Sequence, residues 1–195
     1  MEQLRCFVAI ELEEAIHQEI HRTQALLRND PAGRYGRWVR PEGIHLTLKF
    51  LGDVPADQID AITQAIRDAA EGVAPFRVSF GGLGCFPNTR FPRVIWIGVE
   101  DPGGTLLQLQ QAVEANLSAL GYPPERRAFH PHLTLARTRR VSKGEQTALG
   151  KLVERSQVNR PGDMLVREIS LMRSELRSSG AVYTQLAAAH LHAKE

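Results

Sequence analysis

The sequence lacks the features that define several protein classes. Its two cysteines, Cys6 and Cys85, follow no Cys-x-x-Cys spacing and cannot form a zinc ligand set by themselves. Glu2 and Arg5 introduce charge at once, without the long apolar run of a secretory signal peptide. No stretch approaches the roughly 20 apolar residues that a membrane-spanning helix needs. We therefore expect a cytoplasmic protein with reduced thiols and no membrane association.

The chain also has little net charge. A balance of +2 over 195 residues excludes a generic polyanion binder that works by bulk charge alone. No acidic residue lies between Glu125 and Glu145, however, and this segment carries several arginines: Arg126, Arg127, Arg137, Arg139 and Arg140. Two interpretations stay open, namely a local positive field that concentrates an anionic substrate and an arginine-rich face that is merely solvated.

Length and hydrophobic content allow a substantial core, since 43% of the 195 residues are hydrophobic. We expect residues 1–195 to form one domain with two lobes. Apolar residues at helical spacing predict helices over 13–27, 57–71, 105–120 and 145–153. β-branched and alternating runs predict strands over 4–10, 44–51, 76–80, 94–99, 129–136, 164–171 and 182–186.

The remaining segments are expected to connect these elements. The glycines of 81–88 lack the Lys-Ser/Thr ending and the following helix of a phosphate-binding loop. Residues 174–180 are predicted as a turn, and the alanine-rich tail as a short helix. Helices and strands follow in a similar order in both halves, which indicates a degenerate duplication. The sequence thus favours an α+β fold with pseudo-twofold symmetry, antiparallel sheets lining a central cleft, and helices outside.

The tetrapeptide His-Leu-Thr-Leu occurs twice, at residues 45–48 and 132–135. In a strand the His and Thr share one face while the leucines take the other, where they can anchor the strand in a core. One such strand from each lobe would place His45, Thr47, His132 and Thr134 along one cleft. A single copy would be compatible with ordinary half-buried strand residues, but four identical residues recurring in order argue against that interpretation.

These residue types suit one kind of chemistry. A pair of imidazoles, each with a free pKa of about 6.5, can be divided at neutral pH into one base and one acid. Threonine hydroxyls can donate hydrogen bonds to anionic oxygens without a metal. Such a set matches a small anion whose cleavage needs a proton taken at one end and delivered at the other. A phosphodiester attacked in line by water fits this description.

The two motifs and their surroundings resemble the two-histidine (2H) phosphoesterases, specifically the RNA 2′,3′-cyclic phosphodiesterase branch, also called 2′-5′ RNA ligases. The resemblance covers most of the chain. It rests on the following features: Phe-Val-Ala-Ile at 7–10, Trp38, residues 45–52, residues 129–137, Ser-Glu-Leu at 174–176, Gly180 and Tyr183. It implies a bilobal fold with a pseudo-twofold axis and metal-independent hydrolysis of 2′,3′-cyclic phosphate RNA ends to 2′-phosphates.

The resemblance also implies roles for the motif residues. His45 would donate a proton to the departing 3′ oxygen, and His132 would activate water as the base. Thr47 and Thr134 would hold phosphate oxygens. From chemistry alone a near-symmetric site permits either assignment of acid and base.

Three further residues are candidates for substrate binding. Arg137 is a phosphate contact by resemblance, but on an unbroken strand it would face away from His132, and it reaches the phosphate only if the strand bends near Ala136. Lys49 has the parity of His45 and is the second candidate. His130 shares the parity of His132 and is expected to support it or to contact substrate, because no third ligand completes a metal site.

The expected partner is therefore RNA with a 2′,3′-cyclic phosphate end, and we expect a monomer with no cofactor, no metal and no obligatory protein partner. Two other functions stay open. One is reversible 2′-5′ ligation of tRNA half-molecules, in which a 5′-hydroxyl replaces water. The other is a non-catalytic module that binds RNA ends.

Overall fold

A computed structural model describes residues 2–158, 160–178 and 180–193. Within these ranges the chain forms four α-helices: α1 Glu14–Asn29, α2 Ile59–Ala70, α3 Thr105–Ala119 and α4 Lys143–Arg155. The strands are β1 Gln3–Ile10, β2 Gly36–Trp38, β3 Leu46–Pro55, β4 Glu71–Gly72, β5 Phe76–Phe86, β6 Val94–Glu100, β7 His132–Thr138, β8 Gly162–Val166, β9 Glu168–Arg177, β10 Gly180–His190 and β11 His192–Ala193. None of these helices is long and apolar enough to cross a membrane.

The two motif strands are neighbours at the centre of one antiparallel sheet. Its order is β10-β9-β1-β3-β7-β6-β5-β8, and β2 pairs with β7 in addition. Strands β3 and β7 are joined at a single residue pair, Leu46 opposite Leu133, and each is the leucine that follows a motif histidine. An antiparallel pair in which equivalent residues meet is locally twofold, so β3 with β1 and β9 corresponds to β7 with β6 and β5. The predicted α+β duplication is confirmed, with the two lobes continuous in one sheet.

The motif leucines fix the sheet against the helices. Leu46, Leu48, Leu133 and Leu135 are each at most 3% exposed and belong to the main hydrophobic cluster. Full burial of one such side chain contributes roughly 2 kcal/mol. Two of the four helices contact the opposite half: α1 follows β1 but contacts β8, and α3 follows β6 but contacts β3, whereas α2 contacts β9 and β10 and α4 contacts β5 of their own halves. Helices α1 and α3 therefore tie the halves together around the central strand pair.

Three segments differ from the sequence prediction. The glycine-rich stretch is the end of β5. A Cβ on Gly84 would lie 2.3 Å from the Trp96 ring, so glycine is needed there for close packing inside a strand. In the sequence alone, such glycines look like those of a loop. The strand predicted over 164–171 is divided between β8 and β9, and β9 extends to Arg177. The alanine-rich tail is part of β10 instead of a helix, because its backbone hydrogen-bonds to the edge of β9.

A β-bulge follows each motif threonine. Along β3, Thr47 pairs with Ala9 and Lys49 with Val8, which leaves Leu48 as an extra residue. Along β7, the equivalent extra residue is Leu135, between partners of Trp96 and Ile95. A bulge inserts one residue into one strand, so side chains beyond it exchange faces. Simple parity counted from the histidines therefore fails after residues 47 and 134.

The prediction that Lys49 contacts the substrate is wrong for this reason. Its side chain is 3% exposed and lies on the helix side of the sheet, where it forms an ion pair with Glu114 of α3. The ammonium also donates to the Pro123 carbonyl at 2.8 Å. Lys49 therefore joins β3 to α3 and to the segment that precedes the second motif.

The Lys49–Glu114 pair generates a stability prediction. Glu114→Gln keeps the size of the side chain but leaves the buried ammonium without its counter-charge, so we expect the free energy of unfolding to fall by about 3 kcal/mol. Urea denaturation followed by circular dichroism measures this change. Glu19→Gln is the matched control, because its partner Arg22 is 70% exposed and the expected change is within about 0.5 kcal/mol. Equal effects of the two variants would contradict the assignment.

Candidate active site

The two motifs meet in a cleft on the face of the sheet away from the buried leucines. The cleft has a volume of about 1090 Å³, and His45, Thr47, His132, Thr134 and Arg137 are among the residues that line it. Two imidazoles and two hydroxyls from different parts of the chain therefore face one solvent-accessible space. The arrangement follows from the Leu46–Leu133 pair, because equivalent positions of β3 and β7 lie side by side around it.

The two histidines are held in the same tautomer. His45 Nδ1 lies 3.0 Å from the Gly43 carbonyl oxygen, and His132 Nδ1 lies 2.6 Å from the His130 carbonyl oxygen. A carbonyl can only accept, so each Nδ1 carries the proton that it donates. In each neutral ring Nε2 is then the nitrogen that can accept a proton. Both rings use the carbonyl two residues earlier, as the symmetry of the site requires.

Aromatic side chains fix the orientation of each ring. Phe7 stacks on His45 with ring centroids 4.5 Å apart, and Tyr183 meets the same imidazole edge-on at 5.0 Å. On the other half, Phe86 approaches His132 edge-on at 5.0 Å. Rings packed in this way keep the position of Nε2 with little freedom to rotate. Sequence reasoning did not assign a role to Phe7 or Phe86, because nothing local marks a strand aromatic as a neighbour of a distant histidine.

Both imidazoles are biased toward the neutral form. Burial lowers the pKa of His45 to about 4, although the hydrogen bond to Gly43 opposes this effect. Burial is also the main cause that lowers the pKa of His132; its bond to the His130 carbonyl opposes the shift, and the nearby charges of His130 and Arg137 add to it. A bound anion would reverse this preference, because a negative charge beside an imidazole stabilises its protonated form.

The cleft is strongly positive. Its lining includes five arginines, Arg5, Arg37, Arg40, Arg137 and Arg139, and no aspartate or glutamate among the residues that the structure describes. In the described ranges, no ion pair involves any of these five guanidinium groups. Arg126, Arg127 and Arg140, which flank the second motif in sequence, are exposed but do not line the cleft. Within the described chain, the positive charges that line the cleft are therefore not compensated by ion pairs.

Arg137 lines the cleft because of the bulge at Leu135. The strand is irregular next to Ala136, where a bend was needed for Arg137 to reach the cleft, and Arg137 therefore shares the face of His132. Phe50 is the equivalent residue of the first half and also lines the cleft, with 68% of its surface exposed. The pseudo-symmetric site thus carries a guanidinium on one side and a phenyl ring on the other.

His130 occupies a supporting position. Its carbonyl holds His132, its ring lies 6.4 Å from the His132 ring, and its side chain is not among those lining the cleft. Over the described ranges no group of three or more His, Cys, Asp and Glu side chains is close enough to hold a metal ion. Both cysteines are buried and free.

Comparison with known proteins places the chain in a family. The sequence model of the 2′-5′ RNA ligase superfamily matches residues 6–177. A protein from Methanothermobacter thermautotrophicus, named RNA 2′,3′-cyclic phosphodiesterase, is 37% identical over 184 residues, which cover 94% of this chain and 97% of that protein. A relative of the same name from Aquifex aeolicus is 30% identical over 185 residues, covering 94% and 95% of the two chains.

Solved structures agree with this grouping. The protein TT0787 of Thermus thermophilus superimposes with a TM-score of 0.78 at 29% identity, covering 98% of this chain and 100% of that chain. Escherichia coli LigT in its apo form gives a TM-score of 0.76 at 27% identity, with 98% and 99% covered. The resemblance noted from the two motifs is therefore confirmed: the chain belongs to the 2′-5′ RNA ligase superfamily of two-histidine phosphoesterases.

Proposed function

We propose that this protein is a metal-independent RNA 2′,3′-cyclic phosphodiesterase that hydrolyses cyclic phosphate ends to 2′-phosphates. The observation that carries the proposal is the convergence of His45 and His132, each beside a threonine, on one cleft lined by arginines. The relatives from Methanothermobacter and Aquifex carry the name of this activity. E. coli LigT has been crystallised with phosphate and with 3′-AMP, and ligands of that class fit a cationic cleft.

In the proposed reaction the cyclic phosphate lies between the two motifs. Thr47 and Thr134 donate hydrogen bonds to its non-bridging oxygens, and the Arg137 guanidinium adds a charge-assisted donor. Nε2 of His132 takes a proton from water while the water oxygen attacks phosphorus. The bond between phosphorus and the 3′ oxygen breaks, and His45 Nε2–H protonates that oxygen. The product is a 2′-phosphate with a free 3′-hydroxyl, and proton exchange with solvent restores both rings.

The assignment of acid and base follows the family resemblance and has a partial physical basis. The positive charge of Arg137 disfavours protonation of His132, as the role of base requires. His45 must be protonated to act as acid, whereas burial lowers its pKa to about 4. In this proposal the bound phosphate supplies the missing negative charge and raises that pKa, so the acid forms mainly in the substrate complex.

The first activity prediction concerns the histidines. His45→Ala and His132→Ala should each lower kcat on a cyclic-phosphate oligoribonucleotide by about 10²- to 10⁴-fold, because each removes a proton-transfer group. A chelator should leave the wild-type rate unchanged. Rates are measured by chromatography of the 2′-phosphate product. His21→Ala is the control, since His21 is exposed on α1 outside the cleft.

Several outcomes of this experiment would contradict the proposal. Loss of wild-type activity in chelator would contradict metal independence, and full activity in both motif variants would contradict the two-histidine mechanism. Joined product on paired fragments with a 5′-hydroxyl end, formed faster than the 2′-phosphate, would favour a ligase. Tight RNA binding without turnover, unchanged in the variants, would favour a binding module.

A second prediction concerns pH. The profile of kcat/KM reports the free protein, and it should be bell-shaped with an optimum below the ordinary imidazole pKa of about 6.5, because burial lowers the pKa of both histidines. The optimum of kcat should lie at higher pH, since the bound anion stabilises protonated imidazole. Initial rates across the imidazole range measure both profiles.

Arg137→Gln provides an internal check of the pH prediction. Removing its positive charge should raise the pKa of His132 and move only the limb of the profile that His132 governs to higher pH. Coincident optima of kcat and kcat/KM, or two limbs that move together in this variant, would contradict the assignment.

A further inference from the structure

Three of the cleft arginines lie close together on β2 and at the end of β7, and we call this group the arginine row. Arg137 and Arg139 are two positions apart beyond the bulge, and the Arg139 backbone N–H donates to the Tyr35 carbonyl at 3.0 Å, which continues the ladder with β2. Arg37 on β2 is directly opposite Arg137 in that ladder. Residues that are opposite in an antiparallel pair, or two apart on one strand, share a face. All three line the cleft.

This row is unfavourable in the protein alone. Like charges directly opposite in a sheet destabilise the pair, and in the described parts of the chain no carboxylate pairs with any of the three guanidinium groups. An anion bound between the arginines would remove this repulsion. The row is longer than a single phosphate needs, because residues two apart on a strand are separated by about 7 Å. That distance is on the scale of neighbouring phosphates along a nucleic-acid strand.

The other half of the site does not repeat the row. Phe50 replaces Arg137 at the equivalent position and is largely exposed in the cleft. Strand β2, which contributes Arg37, pairs with β7 and with no other strand of the described chain. The site is therefore symmetric at the histidines and threonines, but this group of three arginines occurs on the β7 side only, and the other two cleft arginines, Arg5 and Arg40, lie outside it. A second phosphate beside β7 would meet the group, whereas the equivalent place in the other half presents Phe50.

We propose that Arg37 and Arg139 form a second anion subsite for the phosphodiester on the 5′ side of the terminal nucleotide. This inference rests on the proposed function, in which the cyclic phosphate occupies the histidines. Because a cyclic phosphate closes the 3′ end of a chain, any further phosphate lies on the 5′ side of that nucleotide. A cyclic mononucleotide with a free 5′-hydroxyl has nothing to place there. The cleft is thus matched to oligoribonucleotide ends, and the subsite discriminates against small cyclic nucleotides.

The test uses two substrates that differ by one phosphate: adenosine 2′,3′-cyclic phosphate and its 5′-phosphorylated form. With the wild-type protein, kcat/KM should be at least about tenfold higher for the 5′-phosphorylated substrate, which is the scale of a charge-assisted contact. Arg37→Gln and Arg139→Gln should each remove most of this advantage. The readout is the ratio of the two kcat/KM values in each variant, which should fall toward one whatever the rate on the unphosphorylated substrate; circular dichroism reports that the variants are folded.

Arg140→Gln is the matched control, because Arg140 follows Arg139 and is exposed but does not line the cleft. It should keep the full preference for the 5′-phosphate. An equal loss in Arg140→Gln would assign the effect to long-range attraction and overturn the subsite, as would a wild-type protein that treats both substrates alike. If neither substrate is hydrolysed, the proposed function fails, and calorimetric binding of the two compounds to the same variants then decides the subsite separately.

Discussion

The active-site geometry depends on one pair of leucines. Leu46 and Leu133 are opposite each other in the only pairing between β3 and β7, and both are essentially buried. Each follows a motif histidine directly, so burying the leucines toward the helices turns both imidazoles to the other face of the sheet. The hydrophobic effect that fixes the centre of the sheet therefore also fixes the separation and facing of the two proton-transfer groups. A one-residue slip of either strand at this pair would turn the histidine of that strand into the core and separate it from the other histidine.

The bulges determine which residues surround the histidines. Without them, Lys49 would share the cleft face and Arg137 would lie on the helix side. With them, Lys49 is paired with Glu114 beneath the sheet, while Arg137 and Phe50 take equivalent places in the cleft. The same backbone irregularity occurs after both threonines, so it belongs to the duplicated unit. The two copies then differ in the side chain that the bulge directs inward, and this difference gives a near-symmetric site its polarity.

Charge compensation links the site to its substrate. Burial lowers the pKa of both imidazoles in the protein alone, and neighbouring positive charge adds to this effect at His132. The cleft arginines lack counter-charges among the described side chains. A bound phosphate anion would change both properties: it stabilises a protonated imidazole, and it offsets the repulsion between the guanidinium groups. An electrostatic field of this kind acts locally, which is why a chain with a net charge of only +2 can still present a strongly positive cleft.

The sequence by itself determined the repeated motif, the shared face of each His and Thr, the four helices and the α+β duplication. These features rest on local periodicity and on identical residues recurring at a distance, which can be identified without coordinates. Tertiary structure decided the direct pairing of β3 with β7, the packing of α1 and α3 against the opposite halves, and the opposition of Arg37 to Arg137. Tertiary structure also decided that Lys49 is buried on the helix side. A bulge depends on strand pairing and on what each face can bury, so it cannot be predicted by counting alternate residues along a strand.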